Sequence, residues 1–158
     1  MSIKNISGDI LTFDKGYLVH QVNHAGSMGA GLSLAVVERY PKILKPYREF
    51  CKKYSWDLIK CLGLVHFWQA NDSPLFIANV FGQEKYGTHS RQTDYVALFH
   101  GLYTVKAWAM YHKDVLPIAI PHGLGCGLGG GNWDHVHTNI IFELFGAGRY
   151  PEVFIYKL

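Results

Sequence analysis

Cysteine, charge and long apolar runs are all scarce in this sequence. Its 158 residues carry three cysteines, Cys51, Cys61 and Cys126, an odd number without a C-x-x-C pair. That argues against a disulfide framework and against a zinc ribbon, and the expected localisation is cytoplasmic. No uninterrupted apolar stretch is long enough to cross a bilayer, and the opening Met-Ser-Ile-Lys-Asn-Ile-Ser-Gly-Asp has no apolar h-region, so neither export nor a membrane partner is expected. Charged residues make up only 17% of the chain, with a formal net charge of +3. The isoelectric point near 8.7 falls short of the value above about 9 usual for nucleic-acid domains, so nucleic acid is not the expected partner. The one dense basic stretch, residues 39–60, reads as the solvated face of a helix, and the mild positive charge suits an anionic small molecule equally well. A 49% hydrophobic content is enough for one globular domain over residues 1–158, expected as a monomer.

Several chemical signatures are missing as well. None of the nine histidines pairs at i, i+4 around a glutamate, and His135 and His137 would point to different sides of a helix, so no metal site and no cofactor are expected. Cys126 lies in a glycine-rich loop, yet Asn132 stands where a Cys-x5-Arg phosphatase cradle needs arginine. Ser27 and Ser33 have no base that the sequence positions. The spacing Gly26-x-x-Gly29-x-Gly31-x-Ser33 lacks the P-loop lysine, and Gly29-x-Gly31 has no third glycine at the dinucleotide-binding position.

What is present is an alternation of strands and helices. Residues 3–6 form a brief strand that stops at a turn around Gly8, Asp9 and Ile10. Tyr17, Leu18, Val19 and Val22 form a second strand, which breaks into a glycine-rich loop over residues 23–31. A helix then runs through Leu32, Ala35 and Val36 to Tyr40, closed by Pro41, and another spans 42–54. Residues 61–70 and 74–81 read as an antiparallel hairpin turned at Asn71-Asp72-Ser73. A polar segment over 84–93 leads to a long helix from Asp94-Tyr95 to about His112, with an apolar stripe. A buried strand over 115–120 runs into residues 121–133, where six glycines fall within nine residues, 123–131. A helix over 133–145 and a strand over 152–158 complete the chain.

Both glycine-rich loops lie between a strand's C-terminal end and a helix's N-terminal end, the edge at which open α/β sheets bind ligands. Unpartnered helix-start amides and close backbone approach make such a loop a phosphate cradle, while a tight turn without ligand explains the first loop equally well. Asp9 is a candidate reader of an adenine edge, although a turn-forming Asx residue is the commoner role. Asp94 or Thr93 has the ordinary reading of a helix N-cap. After elimination, the polar residues near strand ends are His20, Asn23, His24, Asn79 and Asp94.

Gly8-Asp9-Ile10, Val22-Asn23, Met28-Gly29-Ala30-Gly31-Leu32 and the run from Ile120-Pro121 to Asn132-Trp133 together resemble the macro domain family over nearly the whole chain. Tyr40-Pro41, Ala78-Asn79-Val80-Phe81-Gly82-Gln83 and Thr93-Asp94-Tyr95 are similar to segments of its small phage and bacterial members of the yeast-type ADP-ribose-1″-phosphate phosphatase branch. The resemblance implies an α/β fold of three α/β/α layers with a mixed central sheet, binding ADP-ribose across the sheet's C-terminal edge. It places Gly8, Asp9 and Ile10 at adenine, with Tyr156 flanking it. The diphosphate falls to Gly26, Ser27, Met28, Gly29, Ala30, Gly31 and Leu32 and to Pro121, His122, Gly123, Leu124, Gly125, Cys126, Gly127, Leu128 and Gly129, and the distal ribose to Asn23.

The chain departs from other branches of the family. Where many hydrolases read Val-Asn-Ala-Ala-Asn, it has Val22-Asn23-His24-Ala25-Gly26, and Gly129 stands where the terminal ADP-ribose protein glycohydrolases place an aspartate. Phosphate-ester hydrolysis therefore leads, with ADP-ribose or its 1″-phosphate as the expected ligand. His20 or Asp94 would activate water, and Asn23 and Asn79 would orient ribose and phosphate. An ADP-ribosyl hydrolase acting on protein or nucleic acid, and a non-catalytic ADP-ribose binder, are the alternatives.

Overall fold

The computed structural model describes residues 2–83, 93–127 and 129–158. Leu128 and most of the polar segment expected over 84–93 lie outside the described residues. The strands are β1 (Ile3–Ser7), β2 (Gly16–Val22), β3 (Val65–Gln69), β4 (Leu75–Phe81), β5 (Ile118–Pro121) and β6 (Val153–Lys157). They form one six-stranded sheet in the order β1-β6-β5-β2-β4-β3. All neighbours pair parallel except β3, which runs antiparallel to β4 as the hairpin pattern predicts. The sheet is therefore mixed.

Alternation along the strands builds a layer on each face. Tyr17, Val19, Ala78, Val80, Ile118, Ile120, Val153 and Ile155 point to one side, where they pack with Leu98, Leu102 and Val105 of helix α4 (Tyr95–Tyr111) and with Val136, Ile140 and Ile141 of the last helical segment. Leu18, Val22, Ile77, Phe81 and Ala119 point to the other and meet Val36 of α1 (Gly31–Arg39) and Tyr47 and Cys51 of α2 (Leu44–Lys53). Successive side chains on a strand alternate between faces, so each central strand feeds both cores.

Some boundaries move for physical reasons. Pro41 opens a 3-10 turn, Pro41–Ile43, that runs directly into α2, so the residue that ends one helix begins the next. Cys61, expected in a strand, ends the short helix α3 (Leu58–Cys61), and β3 starts at Val65. The last helical segment comprises α5 (Trp133–Val136), a π turn (His137–Ile141) and α6 (Phe142–Phe145), started by Asn132, whose side chain accepts from the His135 amide.

Candidate functional site

A cleft of about 530 Å³ opens at the C-terminal ends of β2 and β5. Its wall takes His20, Asn23, Ser27, Gly29, Ala30, Gly31 and Leu32 from the first glycine-rich loop and its flanks, and Pro121, His122, Gly123, Leu124, Gly125, Gly127 and Gly129 from the second. Gln21, Val22, Ser33 and Gln83 complete it. The two loops that the sequence separates thus face one another across a single space.

Asn23 shapes the first loop from within. Its Oδ1 accepts from the Ala25 amide at 2.9 Å and the Ser27 amide at 3.4 Å, and its Nδ2 donates to the Ser27 carbonyl at 3.0 Å. Tyr47 Oη donates to the Asn23 carbonyl at 2.5 Å, and Arg48 Nε to the Gly26 carbonyl at 3.1 Å. The basic stretch therefore does more than face solvent, since α2 clamps the loop. Gly26 adopts a φ of +77°, and a β-carbon there would meet the Trp56 ring at 2.7 Å. The loop hands over to α1 at Ala30, which has no side-chain cap, so the first amides of that helix face the cleft without a capping oxygen.

The second loop is tied down by Thr93 and Gln21. Thr93 Oγ1 donates to the Gly125 carbonyl at 2.7 Å, its amide donates to the Gly129 carbonyl at 3.0 Å, and Gln21 Nε2 donates to Thr93 Oγ1 at 2.9 Å. Among the described residues Gln21 Oε1 is a buried acceptor with no partner.

On the α1 side of the sheet, one polar row crosses three strands in register: His20 opposite Asn79, and Asn79 opposite His66. His20 is 1% exposed and Asn79 fully buried. Burying such groups costs several kcal/mol unless they are hydrogen-bonded, and they are. His20 Nε2 pairs with Asn79 Oδ1, Asn79 Nδ2 lies 3.0 Å from His66 Nδ1, and Ser33 Oγ lies 3.1 Å from His20 Nδ1. An amide oxygen only accepts and an amide nitrogen only donates. His20 accordingly carries its proton on Nε2 and offers its Nδ1 lone pair to Ser33. Burial lowers the His20 pKa to about 4, partly opposed by the Asn79 hydrogen bond, and burial lowers that of His66 as well. Both rings are neutral at pH 7.

The remaining expected residues sit elsewhere. Asn79 stands behind His20 rather than in the cleft wall. Asp94 caps α4, its Oδ1 accepting from the Ala97 amide at 2.9 Å, and is not in the wall either. Met28 is buried in the α1 core, and Cys126 donates from Sγ to the Leu124 carbonyl, with its thiol pushed up to about 11 by burial. Gly8, Asp9, Ile10 and Tyr156 gather at an adjoining corner. Tyr156 lies between Ile6 of β1 and Pro121 of β5, its carbonyl takes the His122 amide at 2.8 Å, and its ring meets Phe13 edge-on. Asp9 Oδ1 accepts from the Leu11 amide at 2.9 Å, starting the 3-10 turn Ile10–Thr12. Among the described residues no group of three or more His, Cys, Asp or Glu side chains is placed to hold a metal ion.

Sequence reasoning missed Gln21 and His66, set Ser33 aside for want of a positioned base, and read Thr93 as a possible helix cap rather than a tie to the second loop. One signal was available for His66, which like His20 and Asn79 is a polar residue interrupting an apolar strand. Ser33 and Thr93 become relevant only through pairing across the fold.

Comparison with known proteins gives a consistent picture. No family model matches the chain. Over 84 residues it is 37% identical to an ADP-ribose 1″-phosphate phosphatase of Saccharomyces cerevisiae (strain YJM789), a match covering 51% of this chain and 45% of that protein. The chain spans about half the length, or less, of the curated relatives it matches. Among solved structures, a Bacteroides thetaiotaomicron protein of unknown function superposes with a TM-score of 0.81 at 27% identity, covering 100% of this chain and 99% of that one. A macrodomain protein from Streptomyces coelicolor superposes with a TM-score of 0.77 at 25% identity, covering 99% of each.

Proposed function

We propose that this chain, which belongs to the macro domain family, binds ADP-ribose in the cleft between its two glycine-rich loops and hydrolyses ADP-ribose-1″-phosphate to ADP-ribose and phosphate. The observation that carries the reading is the neutral, buried His20 in the cleft wall, with a lone pair on Nδ1 and its other nitrogen fixed by Asn79. The name of the yeast relative supplies the substrate class.

In this reading the loop amides and the uncapped start of α1 hold the diphosphate and the charge that develops on the phosphoryl oxygens. Asp9 and Tyr156 frame the adenine at the adjoining corner. Asn23 fixes the loop that meets the distal ribose, and Gln21 holds Thr93 against the second loop. His20 accepts the proton of the attacking oxygen. Its low basicity follows from burial, and a bound phosphate dianion favours the imidazolium as it forms. Asp94 is the other candidate base, but its carboxylate is engaged as a helix cap.

A pure reader of ADP-ribose is the competing function, favoured by the fact that both His20 nitrogens are already hydrogen-bonded. Turnover decides between them. The parent protein is expected to release phosphate from ADP-ribose-1″-phosphate, and His20→Ala to lose roughly 10²–10⁴-fold of that activity while calorimetry shows ADP-ribose affinity little changed. Tight binding by the parent without phosphate release makes the protein a reader. Release of ADP-ribose from a modified protein or nucleic acid, with no action on the phosphate ester, makes it an ADP-ribosyl hydrolase.

A further inference from the structure

The polar row through His66, Asn79 and His20 ends on a hydroxyl in the cleft wall. We propose that Ser33 is the nucleophile of this site, attacking the 1″-phosphate to give a transient phosphoserine that a water molecule, activated by His20, then cleaves. The inference rests on the phosphatase reading above and assigns its first step to a protein oxygen.

Geometry provides the three parts that an activated serine needs: nucleophile, base and a group that orients the base, each within hydrogen-bond reach of the next. Ser33 Oγ lies 3.1 Å from His20 Nδ1, and His20 Nε2 is held by Asn79 Oδ1. With the Asn79 amide oriented as it stands, its Nδ2 donates to His66 Nδ1 at the far end of the row. That orientation turns the Asn79 oxygen toward His20, keeps the His20 proton on Nε2, and leaves Nδ1 as the lone-pair site facing Ser33. Among the described residues the hydroxyl has one other acceptor, the Gln21 carbonyl at 3.3 Å. Ser33 is also the third residue of α1, so its neighbours are the amides of Gly31, Leu32 and its own backbone, none with an intrahelical acceptor and none capped by the Ala30 side chain. A phosphoryl group seated on those amides lies within reach of Oγ.

The chemistry balances without a metal or a co-reactant other than water. In the first step the Ser33 hydroxyl proton passes to His20 Nδ1 and Oγ bonds to phosphorus. The bond from phosphorus to the 1″ oxygen breaks with its electron pair on that oxygen, which takes the proton from His20 and leaves as the hydroxyl of ADP-ribose. In the second step water gives a proton to His20 and attacks phosphorus. The bond from phosphorus to Oγ breaks, the proton returns to Ser33 Oγ, and inorganic phosphate departs. Asn79 is a positioning residue throughout.

The test is rapid acid quench of the parent protein during turnover of ADP-ribose-1″-phosphate, followed by peptide mass spectrometry, alongside the variant Ser33→Ala. A phosphorylated Ser33 peptide and a burst of ADP-ribose ahead of phosphate are expected. Ser33→Ala is expected to lose turnover by roughly 10³-fold or more, as loss of a nucleophile does in serine hydrolases, while keeping its melting temperature and its ADP-ribose affinity in calorimetry. Phosphate release by the parent, with no adduct and with Ser33→Ala as active as the parent, overturns the assignment of Ser33 and leaves the phosphatase reading standing. Absence of phosphate release from the parent overturns both.

Discussion

A β-carbon on Gly129 would lie 2.4 Å from Thr93 Oγ1 and 2.9 Å from the Gly125 carbonyl oxygen, whereas one on Gly127 would meet no described residue within 4 Å. Two glycines of the same loop therefore have different reasons to be glycine. Gly129 is small because Thr93 and the backbone of Gly125 pack against it, and Gly127 because the cleft is open in front of it. Gly129→Ala is expected to lower stability by about 1–3 kcal/mol, the usual cost of overpacking, read as a fall in denaturation midpoint. Gly127→Ala should leave that midpoint unchanged, and any effect it has should appear in ligand affinity alone. Equal stability of the two variants would show that the loop is not held by Thr93. The sequence announces that the loop is special through its glycine density, but it cannot rank the glycines, because the clashing partner comes from a distant part of the chain.

Elements were more legible than contacts. Short apolar runs bounded by turn residues mark the strands, helical spacing marks α1 and α4, and the Asn71-Asp72-Ser73 turn marks the hairpin between β3 and β4. Boundaries were lost where a residue serves two elements, as Pro41 does, or where a short helix such as α3 is too brief to show a period. Asp94 illustrates how one side chain carries two readings at this scale. As an N-cap of α4 its oxygen accepts from the Ala97 amide, and loss of such a cap costs about 0.5–2 kcal/mol. Asp94→Asn keeps an acceptor oxygen and removes the basic carboxylate. Asp94→Ala is thus expected to destabilise by about 1 kcal/mol, Asp94→Asn to be nearly neutral in melting, and both to retain phosphate release. Loss of turnover in Asp94→Asn, with an unchanged melting curve, would return the role of base to this residue.

At the scale of the whole molecule, the cleft was legible as two loops at one sheet edge, but the polar row beside it was not. Its members lie on β2, β4, β3 and α1, and only the registers His20 to Asn79 and His66 to Asn79 show that they touch. The row has a global consequence because His20 sits in the middle of the sheet. Its folded-state pKa of about 4 is below the ordinary value of 6.5, owing first to burial. Between those two values the unfolded chain binds a proton that the folded chain refuses, so the stability of the fold rises with pH across that window and falls on acidification. The contribution is fully present above the unfolded value, is lost progressively as pH drops from about 6.5 to about 4, and does not change further below the folded value. At 1.36 kcal/mol per pKa unit this is on the order of 3 kcal/mol, a large share of the about 5–15 kcal/mol that holds a domain together. His66, also lowered by burial, adds in the same direction. Urea denaturation of the parent at several pH values through the window should show the midpoint falling with acid. His20→Gln, which offers an amide in place of the ring and has no proton to gain, should show a shallower fall by about the His20 share. Parallel curves for the two proteins would mean that the folded His20 gains its proton over the same pH range as the unfolded one, and that burial does not hold the ring neutral on acidification.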